Sequence, residues 1–205
     1  ANGTRYAKAF SVKDSTVVRA VAVADGMRAS EVAELRIVRL TVADAVECAG
    51  MVFTEGGWKV DARNAVIGGS SAWSGAGVAD DSATTMSVTL DGAGRLAFWW
   101  KVSCDGSGDE EEPWDFLEFT VDDERRGWID GEKDWTRVEV EVGAGRHTFS
   151  WAYRKDGSDS DGDDCGWVDG VVWEPAAVGG VVVPGRDGRP VVIETSWFED
   201  QAEKL

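Results

Sequence analysis

The sequence predicts an all-β protein, a sandwich or barrel, from three observations. Short runs of β-branched and aromatic residues recur along the chain, Gly-rich or acidic turns separate them, and 43% apolar with 10% aromatic residues supply a core. In chain order, residues 17–24 and 32–40 are apolar runs split by Asp25-Gly26, which reads as a turn. Ser30 could cap a helix over the second run, but the β-branched stretch 37–42 favours a strand. From Leu96 the pattern sharpens: residues 96–102, 116–121, 138–142, 147–153 and 167–173 read as strands. Turns at Asp91-Gly92-Ala93-Gly94, Asp130-Gly131, Gly143-Ala144-Gly145 and Gly162 punctuate them. In 138–142 Val alternates with Glu, which gives that strand one wet face. After Pro175 the stretch 176–180 reads as a linker. Val181-Val182-Val183-Pro184-Gly185 then reads as a hairpin-like turn, followed by Pro190-Val191-Val192-Ile193, and Ser196 with Glu199 has capping-box spacing that announces a helix.

Charge narrows the function classes. The 205 residues carry 38 acidic and 21 basic side chains, a formal net charge of -17. Nucleic-acid binding is not expected, because it needs Lys and Arg to displace phosphate counterions. Eleven Trp argue against an acidic disordered chain. The single histidine, His147, rules out a multi-His metal site and reads as structural. No apolar stretch approaches the ~20 residues that span a bilayer, so membrane insertion is not expected. A chain that starts at Ala1 without a basic-then-apolar leader is expected to be a processed product or a piece of a longer polypeptide.

The three cysteines are placed suggestively. Cys104 precedes the acidic loop 105–115, and Cys165 closes the acidic loop 156–164. That placement predicts a Cys104–Cys165 disulfide stapling the loops together in an oxidising compartment, with two unrelated thiols as the alternative. Cys48 reads as a small buried residue.

Two segments resemble known modules. Gly3-Thr4-Arg5-Tyr6, Phe10 and residues 16–32 are similar to the second half of the immunoglobulin-like domain at the C-terminus of chitobiases, over roughly residues 3–40. Residues 94–103, Trp114 to Phe119, Gly131 to Trp135, 145–156 and Trp167 to Val171 resemble, in order, a bacterial MAM-like or cleaved-adhesin jelly roll with a concanavalin-like sandwich. The resemblance implies an antiparallel jelly-roll sandwich over residues 42–175, a partial immunoglobulin-like segment over 1–41, and a tail over 176–205 that begins a following domain. It also implies a non-catalytic module of a multidomain bacterial protein that is secreted or at the cell surface, adjoining other domains. The paired aromatics Phe98 with Trp100 and Trp151 with Tyr153, two residues apart, suit the inner face of such a sandwich, and Trp135, Trp151 and Trp167 read as core before ligand contact.

Three sets of residues could carry chemistry. In the loop 156–164, Asp156, Asp159, Asp161, Asp163 and Asp164 alternate with Gly and Ser, a supply of oxygens suited to calcium, although the register is not that of an EF-hand. Asp105, Asp109, Glu110, Glu111 and Glu112 could add ligands from the opposite loop; a solvated acidic face is the alternative. The jelly-roll resemblance nominates a second calcium site, between the first strand and the last, at Glu47 and Asp169. For glycans, Trp73 and Trp114 read as loop residues offering aromatic platforms, with folding back onto the sandwich edge as the alternative, the more so for Trp114. Neither a Gly-x-Ser-x-Gly nucleophile elbow, a phosphate loop nor an HExxH motif is present, and carboxylate pairs arise by chance on so acidic a surface, so an enzyme is not expected. The expected function is extracellular adhesion or scaffolding with calcium bracing the acidic loops and a glycan or surface protein as ligand. A carbohydrate-binding module serving a glycan-degrading enzyme is the alternative.

Overall fold

Alternation of apolar and polar side chains fixes which face of each strand turns inward, and the chain folds accordingly into strands throughout. The computed structural model describes residues 3–107, 113–176, 180–184 and 190–194. In order these form β1 (Thr16–Ala20), β2 (Ala33–Ile37), one helical turn α1 (Val42–Ala45), β3 (Phe53–Thr54), β4 (Lys59–Asp61), β5 (Ser71–Trp73), β6 (Ala83–Asp91), β7 (Gly94–Ser103), β8 (Phe116–Val121), β9 (Glu124–Asp130), β10 (Glu132–Val142), β11 (Arg146–Arg154), β12 (Cys165–Pro175), β13 (Gly180–Pro184) and β14 (Pro190–Glu194).

Two five-stranded antiparallel sheets make the sandwich, in the orders β10-β7-β12-β5-β4 and β3-β6-β11-β8-β9. Successive strands cross repeatedly between the sheets, the winding of a jelly roll. The core lies between them. Leu96, Phe98, Trp100 and Val102 of β7 face Leu117, Phe119 and Val121 of β8 and Phe149, Trp151 and Tyr153 of β11. Phe98 is central, with ring centroids 4.6 Å from Phe119, 5.2 Å from Trp151 and 5.8 Å from Trp100. The inward pairs expected at Phe98 with Trp100 and Trp151 with Tyr153 are thus observed. So is the Val/Glu alternation of β10, where Val138 and Val140 pack on the core and Glu139 is exposed.

The strand expected over 37–42 stops at Ile37. Thr41 instead caps α1 in a capping box with Asp44, whose carboxylate accepts from the Thr41 amide at 2.8 Å. Hairpins β1–β2 and β13–β14 form separate two-stranded sheets, and the hairpin-like turn expected over 181–185 is corrected: 181–184 belong to strand β13, which pairs with β14. The helix start expected at Ser196 to Glu199 lies outside the described residues. His147 is structural, as expected: Nδ1 lies 2.7 Å from Asp122 and Nε2 3.1 Å from the Gly143 carbonyl, which ties the β8–β9 turn to the one before β11.

The disulfide expectation is overturned. Cys104 and Cys165 are free, and register supplies the reason. Cys165 pairs with Ser103 across β12 and β7, so it shares the outer face with Ser103, whereas Cys104, one residue further, points into the core. There its Sγ donates to the Asp115 carbonyl at 3.2 Å. Burial pushes the Cys48 thiol up to about 11 and those of Cys104 and Cys165 to about 12. All three are therefore expected to resist maleimide in the native protein and to label fully in denaturant, with reductant leaving the melting midpoint unchanged. A mass 2 Da short of three thiols, in the sense of one S–S bond formed, would contradict this.

Candidate functional site

The two acidic loops do meet, without a covalent staple. Asp105 is held above the ordinary carboxylate range by lost solvation and by the charges of Asp161, Asp159 and Asp156. At the base of the junction lies a residue that sequence reading passed over, Lys155, at the end where β11 enters the acidic loop. Its side chain is 1% exposed, and Nζ donates to Ser160 Oγ at 2.6 Å, Asp164 Oδ2 at 2.7 Å and the Asp159 carbonyl at 3.4 Å. Asp115, fully buried, places Oδ2 3.4 Å from the same ammonium and takes the Asp156 amide on Oδ1 at 3.0 Å. Burial works against the ammonium, but its bond to Asp164 and the Asp115 and Asp164 charges outweigh it and hold Lys155 above the usual lysine range. Tyr153 adds a hydroxyl bond to Asp164 at 2.8 Å. Of the loop carboxylates expected to gather round a metal, Asp164 turns to Lys155, Asp156 caps the Ser158 amide at 2.9 Å, and Asp161 and Asp163 are exposed. Residues Asp109, Glu110, Glu111 and Glu112 lie outside the described residues. Among the described residues no group of three or more His, Cys, Asp or Glu is arranged to hold a metal.

The second nominated pair is brought together. Glu47 follows α1 in a left-handed backbone conformation (φ 62°), rare for a glutamate, and Asp169 sits on β12 at a bulge made by Gly170 (φ 54°). A Cβ on Gly170 would stand 2.7 Å from Ile67 Cδ1, and one on Gly68 would stand 2.0 Å from Glu47 Oε1. Only glycine lets the 66–69 turn close over the pair. Asp169 Oδ2 accepts the Val66 and Ile67 amides at 2.6 and 2.9 Å, while the Gly170 amide donates to Asp169 Oδ1 at 2.7 Å and to Glu47 Oε2 at 3.2 Å. The two carboxyl groups thus converge on the shared Gly170 amide. Desolvation first, then the proximity and charge of Asp169, push Glu47 up to about 7, so the site favours a proton or a cation between two groups that would otherwise repel.

The expected aromatic platforms separate. Trp73 is not in a loop: it ends β5, half-buried beside Trp167 on the outer face of the first sheet, with Nε1 buried and without a hydrogen-bond partner among the described residues. Trp167, expected in the core, is buried on that outer face instead, under Lys101 (5.6 Å to its ring) and bonded through Nε1 to Asp61 at 3.1 Å. Trp135 is half-buried at the β10 bulge. Trp114 remains in the loop before β8 and is 49% exposed.

Fold and site together define a jelly-roll β-sandwich with a carboxyl pair at the junction of its first and last segments. No family model and no curated protein matches the chain. Among solved structures, it is similar to the secreted serine protease VesC from Vibrio cholerae, with a TM-score of 0.47 and 16% identity over 72% of this chain, which spans 30% of that one. It is also similar to a carbohydrate-binding module solved with β-1,4-galactotriose (TM-score 0.37, 15% identity, 61% of this chain and 86% of that one). A third likeness is a cleaved adhesin domain of Lys-gingipain from Porphyromonas gingivalis (TM-score 0.39, 15% identity, 62% and 90%).

Proposed function

We propose that this chain is a non-catalytic binding module of a secreted or surface-exposed protein, acting in adhesion or scaffolding, in which calcium held at Glu47 and Asp169 braces the sandwich. The observation that carries the calcium part is the carboxyl pair itself: two acids converge on the Gly170 amide in a glycine-lined cradle, and a hard cation with oxygen ligands would relieve their repulsion. The loop 156–164 is the less favoured seat, because Lys155 already supplies a cation there. The module would occupy residues 42–175, with the segments 1–41 and 176–205 belonging to its junctions with neighbouring domains. Carbohydrate binding is the second reading, favoured by the exposure of Trp114.

Calcium saturating the site about a hundredfold over its Kd is expected to stabilise by about 2.7 kcal/mol, a rise of roughly 5–10 °C in melting midpoint, reversed by EDTA. Asp169→Asn and Glu47→Gln should abolish the rise. An unchanged midpoint in the wild type with both calcium and EDTA would sink the proposal. Proton linkage supplies an independent readout. The folded-state pKa of Glu47 lies above the ordinary value of 4.5, so the native state binds more protons than the unfolded state between about 4.5 and 7. Without calcium, the contribution of this pair to stability should therefore decline as pH rises through that window. With calcium bound, or in Glu47→Gln, the decline should disappear.

A further inference from the structure

The outer face of the second sheet carries a groove that none of the features above explains. Inward residues of β8 and β11 fill the core, so Glu118 and Thr120, with Ser150, Ala152 and Arg154, face outward. Register aligns them in rows: Thr85, Ala152, Glu118 and Trp128 lie side by side across β6, β11, β8 and β9. The small Ala152 between larger neighbours makes the depression, about 490 Å³ in volume, within the range of small-ligand sites. Glu118 is 4% exposed and gripped from two sides: Arg125 Nε donates to Oε2 at 3.0 Å and Arg154 Nε to Oε1 at 2.5 Å. Each guanidinium thereby spends its Nε and is held in place, while its two terminal amino groups have no partner among the described residues. Outside the lining, Trp128 packs edge-on to Phe116 at 6.3 Å and Arg125 lies over Phe116 at 5.4 Å, a contact that helps to fix the Arg125 guanidinium.

We infer that this groove, centred on Glu118, Arg125 and Arg154, binds a neutral oligosaccharide. The inference rests on the carbohydrate reading above and names its site and ligand class. Charge decides the class. The lining sets Glu118 and Asp123 against Arg125 and Arg154, an electrically balanced surface, inside a protein of net charge -17 that repels polyanions at long range. Hydroxyls of Thr85, Thr120 and Ser150 both donate and accept, and fixed guanidinium forks present paired donors. Vicinal sugar hydroxyls need that mixture of planar forks and hydroxyls. An extended peptide does not fit as well, since β8 and β11, which form the floor of the groove, have neighbours on both sides and offer no free backbone edge there for strand addition.

The experiment titrates the full chain calorimetrically with neutral gluco-, galacto-, manno- and xylo-trisaccharides and with trigalacturonate, and follows the Arg125 and Arg154 Nε–H resonances. At least one neutral trisaccharide should bind and shift both resonances. Thr85→Trp, which fills the groove from an exposed position, and Arg154→Lys, which keeps the charge but loses the fork, should each weaken binding by about tenfold or more, with melting midpoints checking the fold of each. Binding that survives both substitutions but is lost in Trp114→Ala would overturn the groove and leave the carbohydrate reading standing. Binding of trigalacturonate alone would overturn the neutral ligand. Silence across the whole panel would overturn both the inference and the carbohydrate reading.

Discussion

Lys155→Met is expected to destabilise the protein by about 3–5 kcal/mol, because it removes one partner of a buried ion pair and strands the others. Asp115 shows why the cost is large. Its carboxylate is fully buried; Oδ1 holds the Asp156 amide, but Oδ2 has no hydrogen-bond partner among the described residues and depends on the ammonium 3.4 Å away. Burial already raises the Asp115 carboxyl above its ordinary range, with the Asp156 amide and Lys155 only partly offsetting it. Asp164, by contrast, lies below its ordinary range: burial opposes ionisation, but Lys155 and the Tyr153 hydroxyl outweigh it. Methionine matches the stem of lysine, so lost packing contributes little and the effect reports charge. A midpoint drop of roughly 6–20 °C follows for a chain of this size. The pH dependence has a definite sign. In the variant Asp115 moves further above its unfolded value and Asp164 loses the ammonium that lowers it most, so the deficit relative to wild type grows as pH rises past about 4 and shrinks as acid neutralises them. Adding Asp115→Asn to Lys155→Met should recover part of the loss. A deficit under about 1 kcal/mol at neutral pH would mean that water or a solution cation reaches the pocket and that the ammonium is dispensable.

How far this organisation could be read in advance depended on the separation of the groups concerned. Strands β7, β8, β11 and β12 were legible because aromatic and β-branched residues alternate within a few positions, a local signal. The β6 alternation of Met86, Val88 and Leu90 with Thr85, Ser87 and Thr89 is equally local, but its weakly apolar composition hides it. Strand β9 is an edge strand of mostly charged residues, Glu124, Arg125 and Arg126 among them, which suits an exposed sheet border and erases the strand signature. The Thr41 to Asp44 capping box was short enough to be masked by its β-branched neighbours. Sites were harder. Glu47 meets the Gly170 amide across 123 positions, and only a family likeness suggested looking there. The expected disulfide failed on a matter of parity: Cys165 is level with Ser103, and one residue of register sends Cys104 to the other face. Lys155 was invisible for a related reason. A lysine before an acidic run looks like a solvated charge until the loop folds back and its oxygens turn inward.

Trp151→Ala is expected to cost about 3–5 kcal/mol, comparable to the loss of Lys155 but by a different mechanism. Trp151 is fully buried, and its ring lies 5.2 Å from Phe98 in a perpendicular contact, 5.3 Å from Phe119 and 6.3 Å from Phe53. These rings come from β7, β8 and β3, so the indole joins both sheets where the sandwich is thickest with aromatics. Its truncation would leave a cavity that neighbours on three strands cannot close together, since each is fixed by its own ladder. The indole Nε1 is buried without a hydrogen-bond partner among the described residues, which separates shape from polarity. Trp151→Phe removes an unsatisfied donor along with some volume, so its cost should fall to about 1–2 kcal/mol. Chemical denaturation of the two variants measures the contrast. If Phe proved as costly as Ala, an unseen partner for Nε1 would have to contribute to the stability of the core. If Ala were nearly neutral, the two sheets would have to be able to collapse onto the vacated space, contrary to the close aromatic packing around Phe98.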